Sequence, residues 1–305
     1  MDATLSERPG SLSQTIDRFS GINNADEAVR LAPEVVDHHY VYPLSSASNV
    51  EIDNTGALSS RSGYTSVKTG TDIHSMWADD ICLYVDNGTL YKLNSDYTTL
   101  SLRTGLSKRR VSYAKFNNRT YYTNEEAIGY VTTSDNALPA PGREFKEPLP
   151  AGKFIRYFKA CLLVAKGKVL YISDPLCDYY DTRHGFRIFN TDITMVCPVD
   201  DGLYVSDRDA VWFLKGVSNE DFERDEAYPS PAIPYTDVVI GTQYVGMDKS
   251  GEVAVWTSEN GICIGDDSGT VISLTEKRYN FTPTAEGAAF VRENDHLRFY
   301  INTLF

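Results

Sequence analysis

Ile81-Cys82-Leu83-Tyr84-Val85, Asp86-Asn87-Gly88 and Thr89-Leu90-Tyr91-Lys92-Leu93 follow one another without a break. The two outer runs hold the β-branched, aromatic and aliphatic residues that strands favour. Between them lies Asn-Gly, which readily takes the positive φ of a two-residue hairpin turn. A hairpin is expected here, and the same design returns along the chain. It recurs as Ala160-Cys161-Leu162-Leu163-Val164-Ala165 with Val169-Leu170-Tyr171-Ile172-Ser173, and as Leu203-Tyr204-Val205-Ser206 with Ala210-Val211-Trp212-Phe213-Leu214. It recurs again as Val253-Ala254-Val255-Trp256-Thr257 with Gly261-Ile262-Cys263-Ile264-Gly265, and more weakly as Arg119–Thr123 with Ala127–Val131.

The second strands of these hairpins begin at Leu90, Ile128, Val169, Val211 and Ile262, a spacing of roughly 40 residues that matches a four-stranded propeller blade. A further short apolar run precedes several hairpins, such as His74–Ala78, Phe154–Phe158 and Ile193–Val196, where an innermost strand would sit. Near the end, Gly287–Val291 and His296–Asn302 make half a blade. Near the front, Ser48–Ile52 and Ala57–Ser60 make an orphan hairpin. The expected fold is therefore an all-β propeller, six-bladed with five as the alternative, its ring closed by N-terminal strands that complete the C-terminal blade and leave no open edge. Residues 1–46 are expected as an N-terminal arm and 47–305 as the propeller. Within the arm Asn24 to Val36, interrupted by Pro33, is the only stretch with a short helical pattern. Two long connections, Ser134 to Gly152 with its prolines and the acidic Gly216 to Asp237, are expected to project from the ring and make contacts.

Composition narrows the function. Asp and Glu number 42 against 29 Lys and Arg, a formal charge of −13, which argues against a phosphate-neutralising nucleic-acid face. No apolar run approaches the ~20 residues of a membrane span, and the first residues show neither a basic nor an apolar leader region. The five cysteines are scattered without a Cys-x-x-Cys pair and read as buried thiols in strands. Asp79-Asp80, Asp200-Asp201 and Asp266-Asp267 could be paired carboxylates of a glycosidase, but each adjoins a turn, where Asp caps local backbone. Asp53-Asn54-Thr55-Gly56, Asp248-Lys249-Ser250-Gly251 and Asp266-Asp267-Ser268-Gly269 likewise read as hairpin turns. The five histidines lack metal-ligand spacing. No phosphate loop, dinucleotide fingerprint or nucleophile elbow is present, so neither catalytic residues nor a cofactor or metal is expected. Lys108-Arg109-Arg110 reads as a solvated blade edge.

One region is more specific. Phe19-Ser20-Gly21-Ile22-Asn23-Asn24, Arg30-Leu31-Ala32-Pro33, and Ala47-Ser48-Asn49-Val50-Glu51-Ile52-Asp53-Asn54-Thr55-Gly56-Ala57-Leu58-Ser59-Ser60-Arg61-Ser62-Gly63-Tyr64 resemble the front of tail nozzle, hub and minor tail proteins of tailed bacteriophages. These open with a similar arm and strand pair and continue as a β-propeller. The resemblance implies a non-enzymatic virion subunit, assembled in the host cytoplasm into a homo-oligomeric ring, expected as a hexamer, beside other tail or connector proteins. Genomic DNA would pass through the ring's channel without specific binding, in keeping with an acidic wall.

On this reading Phe19, Ile22, Asn23 and Tyr40 to Tyr42 are the expected assembly residues. Asn49, Asp53, Gly56, Arg61 and Tyr64 close the ring, Gly56 supplying the positive-φ turn. Pro139, Pro141, Glu220, Asp221 and Glu223 mark the loops that face partners or the channel. The rival expectations are a carbohydrate-binding or glycosidase-type propeller and a cellular interaction scaffold.

Overall fold

Asn87 and Gly88 take φ of 47° and 73°, the positive values of a type I′ turn, and the strands they join pair in register from Cys82↔Leu93 to Asp86↔Thr89. A side chain at position 88 would place its Cβ 2.3 Å from the Leu106 carbonyl oxygen, so this turn needs glycine for space as well as for φ. Asn117-Asn118 and Lys159-Ala160 make equivalent turns with both residues at positive φ. These features come from a computed structural model of the chain, which describes residues 18–27, 30–53, 55–61, 63–131, 136–137, 144–245, 250–275, 277–294 and 297–304.

The chain forms two compact units, Met1–Tyr64 with Lys277–Asn280, and Thr65–Glu276 with Phe281–Phe305. Among the described residues the larger unit holds five four-stranded antiparallel sheets in chain order. Blade 1 consists of Ile73–Ala78, Cys82–Asp86, Thr89–Leu93 and Thr99–Arg103, and blade 2 of Ser112–Phe116, Arg119–Thr123, Ile128–Val131 and Asn136–Ala137. Blade 3 is Phe154–Phe158, Cys161–Lys166, Val169–Ile172 and Phe186–Ile188. Blade 4 is Met195–Val199, Gly202–Ser206, Val211–Lys215 and Glu223–Tyr228, and blade 5 is Val238–Gly241, Glu252–Ser258, Gly261–Gly265 and Val271–Ser273. A two-stranded hairpin, Gly287–Asn294 with Leu297–Leu304, follows.

The apolar core is divided among the blade interfaces. Leu83, Val85 and Leu90 of blade 1 pack with Tyr113, Tyr122 and Val131 of blade 2, and Phe116 and Tyr121 pack with Ile155, Leu162 and Val164 of blade 3. Phe154, Leu163 and Leu170 meet Val196, Leu203 and Leu214 of blade 4, whose Tyr204 and Phe213 meet Trp256 and Cys263 of blade 5. Ile240, Val253, Val255 and Ile264 carry the pattern on to Val291 of the final hairpin. Blades 2 to 5 are thus apolar on both faces, which is why their strands read as near-continuous hydrophobic runs rather than as alternating ones.

The smaller unit departs from expectation in one respect. The stretch Asn24 to Val36 contains no α-helix among its described residues: Glu34–Val36 is a strand, paired with His39–Leu44 across an Asp37-His38 turn at positive φ. Phe19–Ile22 adds to the other side of His39–Leu44 in parallel, Phe19 opposite Tyr42 and Ile22 opposite Leu44. β-branched Val35 and Val36 followed by two turn residues favour this hairpin over a helix that Pro33 would already break. Among the described residues Val50–Ile52 pairs with Leu58–Ser60, and Gly287–Asn294 with Leu297–Leu304. The first pair belongs to the unit of the arm, where the Phe19 amide donates to the Gly56 carbonyl at 2.8 Å.

Candidate functional site

Innermost blade strands expose one backbone edge and the ends of their side chains to a shared space, so a propeller brings residues distant in sequence together there. In the larger unit this space is a cavity of about 1180 Å³. Its walls come from Ile73–Ala78, Arg110–Lys115, Arg156-Tyr157, Cys197-Pro198, Tyr235, Asp237–Val239 and Ala288–Val291. A smaller recess of about 320 Å³ adjoins it at Arg110, His74 and Tyr235 and is rimmed by Asp72, Lys108, Arg109, Glu125 and Glu286.

Much of the charge at this end is paired. Arg109 bridges Glu125 and Glu126. The Arg110 guanidinium donates to the Gly287 carbonyl, lies 4.0 Å from Glu286, and stacks over the Tyr235 ring with its carbon 5.0 Å from the centroid. Lys153 reaches Glu286 at 3.4 Å and the same ring at 5.3 Å. Burial, ahead of the charges around it, pushes the Tyr235 phenol well above its usual value and the His74 imidazole below its own. The His74 ring holds Ser75 Oγ at 2.7 Å through Nδ1, and that oxygen accepts the Val111 amide.

Deeper in, Arg156 donates to Asp237 Oδ2 and to Ser112 Oγ, both at 2.7 Å. One guanidinium thus links blades 2 and 3 to the strand entrance of blade 5. The Asp237 side chain is 3% exposed, and its other oxygen, Oδ1, has no hydrogen-bond partner. Cys197 is buried beside this pair, and burial raises its thiol. No group of three or more metal-ligating side chains occurs among the described residues, and no helix among them is long and apolar enough to cross a membrane.

Local sequence marks none of these residues as a site. Lys108-Arg109-Arg110 reads as a blade edge; in the structure all three line the smaller recess, and Arg110 lines the cavity as well. The paired aspartates are turn and surface groups: Asp79 and Asp80 hold Lys115 at 3.1 and 3.3 Å, and Asp200 accepts the Glu252 amide at 3.2 Å. Asp53 and Asp266 share one geometry. Each Oδ1 accepts the amide and hydroxyl of the residue two positions on and the amide four positions on, Thr55 and Ala57 or Ser268 and Thr270. The bond from Thr55, with the others, holds the Asp53 carboxyl below its usual range.

The expected assembly and closure residues lie together in the smaller unit. Asn23 bonds the Leu44 carbonyl through its amide and Asp26 through its side chain. Tyr40 is 58% exposed, whereas Tyr42 is half-buried. Asn49 has φ 58°, and Arg61 stacks on Tyr64 at 5.2 Å. Pro139 and Pro141 lie outside the described residues. Glu220 and Asp221 sit in an exposed turn where Asp221 accepts from Ser218 Oγ at 2.6 Å. Glu223 opens the outermost strand of blade 4, so that acidic stretch charges an outer edge and does not face the cavity. A charged outer strand protects a sheet from edge pairing.

The described part of the proline connection is anchored. Lys146–Pro148 pairs with Tyr179–Asp181. The Asp181 carboxylate, 1% exposed, accepts from Arg183 Nη2 at 2.6 Å and lies 3.1 Å from Lys146 Nζ. The Arg183 side chain is the main reason that this carboxyl lies far below its usual value. Because the folded value lies below the unfolded one, its contribution to stability is complete above the ordinary carboxylate range and is lost as pH falls towards the folded value. Asp181→Asn is expected to flatten the loss of stability below about pH 4. Urea unfolding across a pH series measures this, and an unaltered acid limb would refute the assignment.

No protein-family model and no curated protein matches this sequence. Solved structures do. A streptogramin B lyase superposes with a TM-score of 0.50 at 10% identity over 78% of each chain. A gluconolactonase from Xanthomonas campestris gives 0.45 at 11% identity over 73% of this chain and 82% of its own. The WD40 propeller domain of Doa1 gives 0.43 at 11% over 66% and 67%. At such identity the first of these likenesses speaks to architecture alone, and with the repeated four-stranded sheets it identifies the chain as an all-β protein of the propeller type.

Proposed function

We propose that this chain is a non-enzymatic structural subunit of a bacteriophage tail, of the nozzle or hub class or of the ring at the head–tail junction. The observation that carries this reading is the state of the smaller unit. Not one of its described residues is buried, yet it carries two β-sheets and exposes Val35, Val36, Tyr40, Leu58 and Tyr64. Short sheets without a hydrophobic face packed on something are marginal in water. A module of this kind gains its core from neighbouring chains, as a ring subunit does. The resemblance of residues 19–64 to tail proteins supports the same reading. In it the C-terminal hairpin is the inner half of a sixth blade, and six copies form the ring.

DNA would pass between copies, because the propeller's own cavity, about 1180 Å³, is too small to admit a duplex. The net charge of −13 suits a wall over which a polyanion slides. Native mass spectrometry of the full chain and of a chain lacking residues 1–45, each alone and with tail neighbours, tests the proposal. The full chain is expected to form a closed oligomer, alone or with those neighbours, and the truncated chain to remain a folded monomer. A full chain that stays monomeric under every condition would overturn it, as would unchanged assembly of the truncated one.

A further inference from the structure

Ser75 breaks the regularity of the innermost strand of blade 1. Its φ is 56°, a left-handed value that costs a non-glycine residue free energy unless its surroundings hold it there. The pairing with Cys82–Asp86 shifts register between His74 and Trp77 at the same place, a bulge of the kind that re-aims a side chain. The re-aimed group is the Ser75 hydroxyl, which accepts the Val111 amide at the entrance to blade 2 at 2.8 Å and lies 2.7 Å from His74 Nδ1. Val111 is buried, so an amide deprived of this acceptor would be costly. A neutral imidazole can meet the hydroxyl as acceptor or as donor, whereas a protonated one only donates. Protonation would also put a proton on Nε2, which is buried without a hydrogen-bond partner.

The charged groups around the ring decide where a proton would drive it. Arg110 opposes the charge, and it is held in place by the Gly287 carbonyl and the Tyr235 ring. Lys108, on the wall of the same recess, adds a second opposing cation. Asp86 favours the charge, but its Oδ1 already accepts the amides of Thr71 and Asp72. Arg109 is paired with Glu125, and Glu286 lies beside Lys153 and Arg110. Asp72 favours the charge as well and shares the recess with His74, and its carboxylate holds no ion pair among the described residues. We propose that His74 is a proton-sensitive latch between blades 1 and 2: neutral, it fixes the Ser75 hydroxyl on the Val111 amide, and protonated, it swings towards Asp72 and releases the bulge. Burial, ahead of these charges, sets its titration below the ordinary histidine value. Because the folded value lies below the unfolded one, the latch contributes fully above about pH 6.5, and its contribution is lost as pH falls through that value towards the folded one. All these groups lie in the larger unit, so the latch is independent of the tail assignment.

Amide hydrogen exchange of the full chain from about pH 7.5 to about pH 4.5, corrected for the intrinsic rate, tests the latch together with an NMR titration of the His74 ring. Protection in Ile73–Ala78 and at Val111 is expected to fall about tenfold as the ring titrates, the loss of one buried hydrogen bond. His74→Asn puts an acceptor near the place of Nδ1 but does not titrate, and its protection is expected to stay level with pH. Ser75→Gly keeps φ 56° without strain and removes the hydroxyl, so it is expected to show the parent's low-pH exchange at every pH. The proposal is overturned if His74 titrates at or above the ordinary value, if parent and His74→Asn respond to pH alike, or if Ser75→Gly leaves Val111 protected.

Discussion

Arg156→Met is expected to destabilise the propeller by about 3–5 kcal/mol, the cost of leaving a buried carboxylate without its cation. Asp237 is almost wholly enclosed, with its side chain 3% exposed, and Arg156 is the only charged group paired with it among the described residues. The loss goes beyond the ion pair, because the same guanidinium serves Ser112 Oγ and the Ile155 carbonyl. Removing it unties blade 3 from the entrance to blade 5, while Ser112 Oγ still bonds the Ile155 amide and carbonyl between blades 2 and 3. Adding Asp237→Leu is expected to restore most of the stability, since an apolar pair of similar volume has no charge to desolvate. Urea unfolding of the parent, the single variants and the double variant measures the coupling. A double variant as unstable as Arg156→Met alone would show that the pair is not the cause.

Trp256→Ala is expected to cost a similar ~3–5 kcal/mol, by a different mechanism: an apolar void at the centre of a blade interface. Trp256 is fully buried in blade 5 and packs on Tyr204 of blade 4 with ring centroids 5.3 Å apart. Tyr204 in turn packs against the tilted ring of Phe213, with centroids 4.8 Å apart, and donates to the Asp266 carbonyl at 2.7 Å. Emptying the position therefore releases a chain of aromatic contacts as well as the indole's own. Trp256→Phe separates volume from polarity, because the indole Nε1 is buried without a partner. Phenylalanine gives up area but also removes an unsatisfied donor, so roughly 1–2 kcal/mol is expected. Thermal unfolding of both variants decides the matter. Equal losses for Phe and Ala would show that the size of the void is not the cause.

The contrast between these two positions shows what local sequence conveys. Trp256 lies in Val253-Ala254-Val255-Trp256-Thr257, one of the repeated strands, and its burial follows from an unbroken apolar run before a turn. Arg156 lies in an equally apolar run, Phe154-Ile155-Arg156-Tyr157-Phe158, and nothing beside it announces a partner. Asp237 is 81 positions away. The outermost strands are faint in the sequence for a related reason. Thr99–Arg103, Phe186–Ile188 and Glu223–Tyr228 lie at blade edges, where burial is partial and polar residues are admitted. Glu223–Tyr228 accordingly reads as an acidic loop. The arm misleads in the opposite sense. Its mixed pattern from Asn24 to Val36 suggests a helix, yet the paired turn residues Asp37-His38 carry more information, since they make a hairpin.

The all-β class, the repeat and the hairpins are legible without coordinates, because β-branched runs and positive-φ turns are local properties that act within about ten residues. So is the role of Asp53 and Asp266, whose carboxylates are satisfied by backbone at most four positions away. Which charges meet is settled by the packing of the blades. The Arg110, Tyr235 and Glu286 cluster and the Arg156–Asp237 pair join residues from different parts of the ring. Their proximity arises from successive sheets packing around a common space, and no local pattern encodes a distance across it.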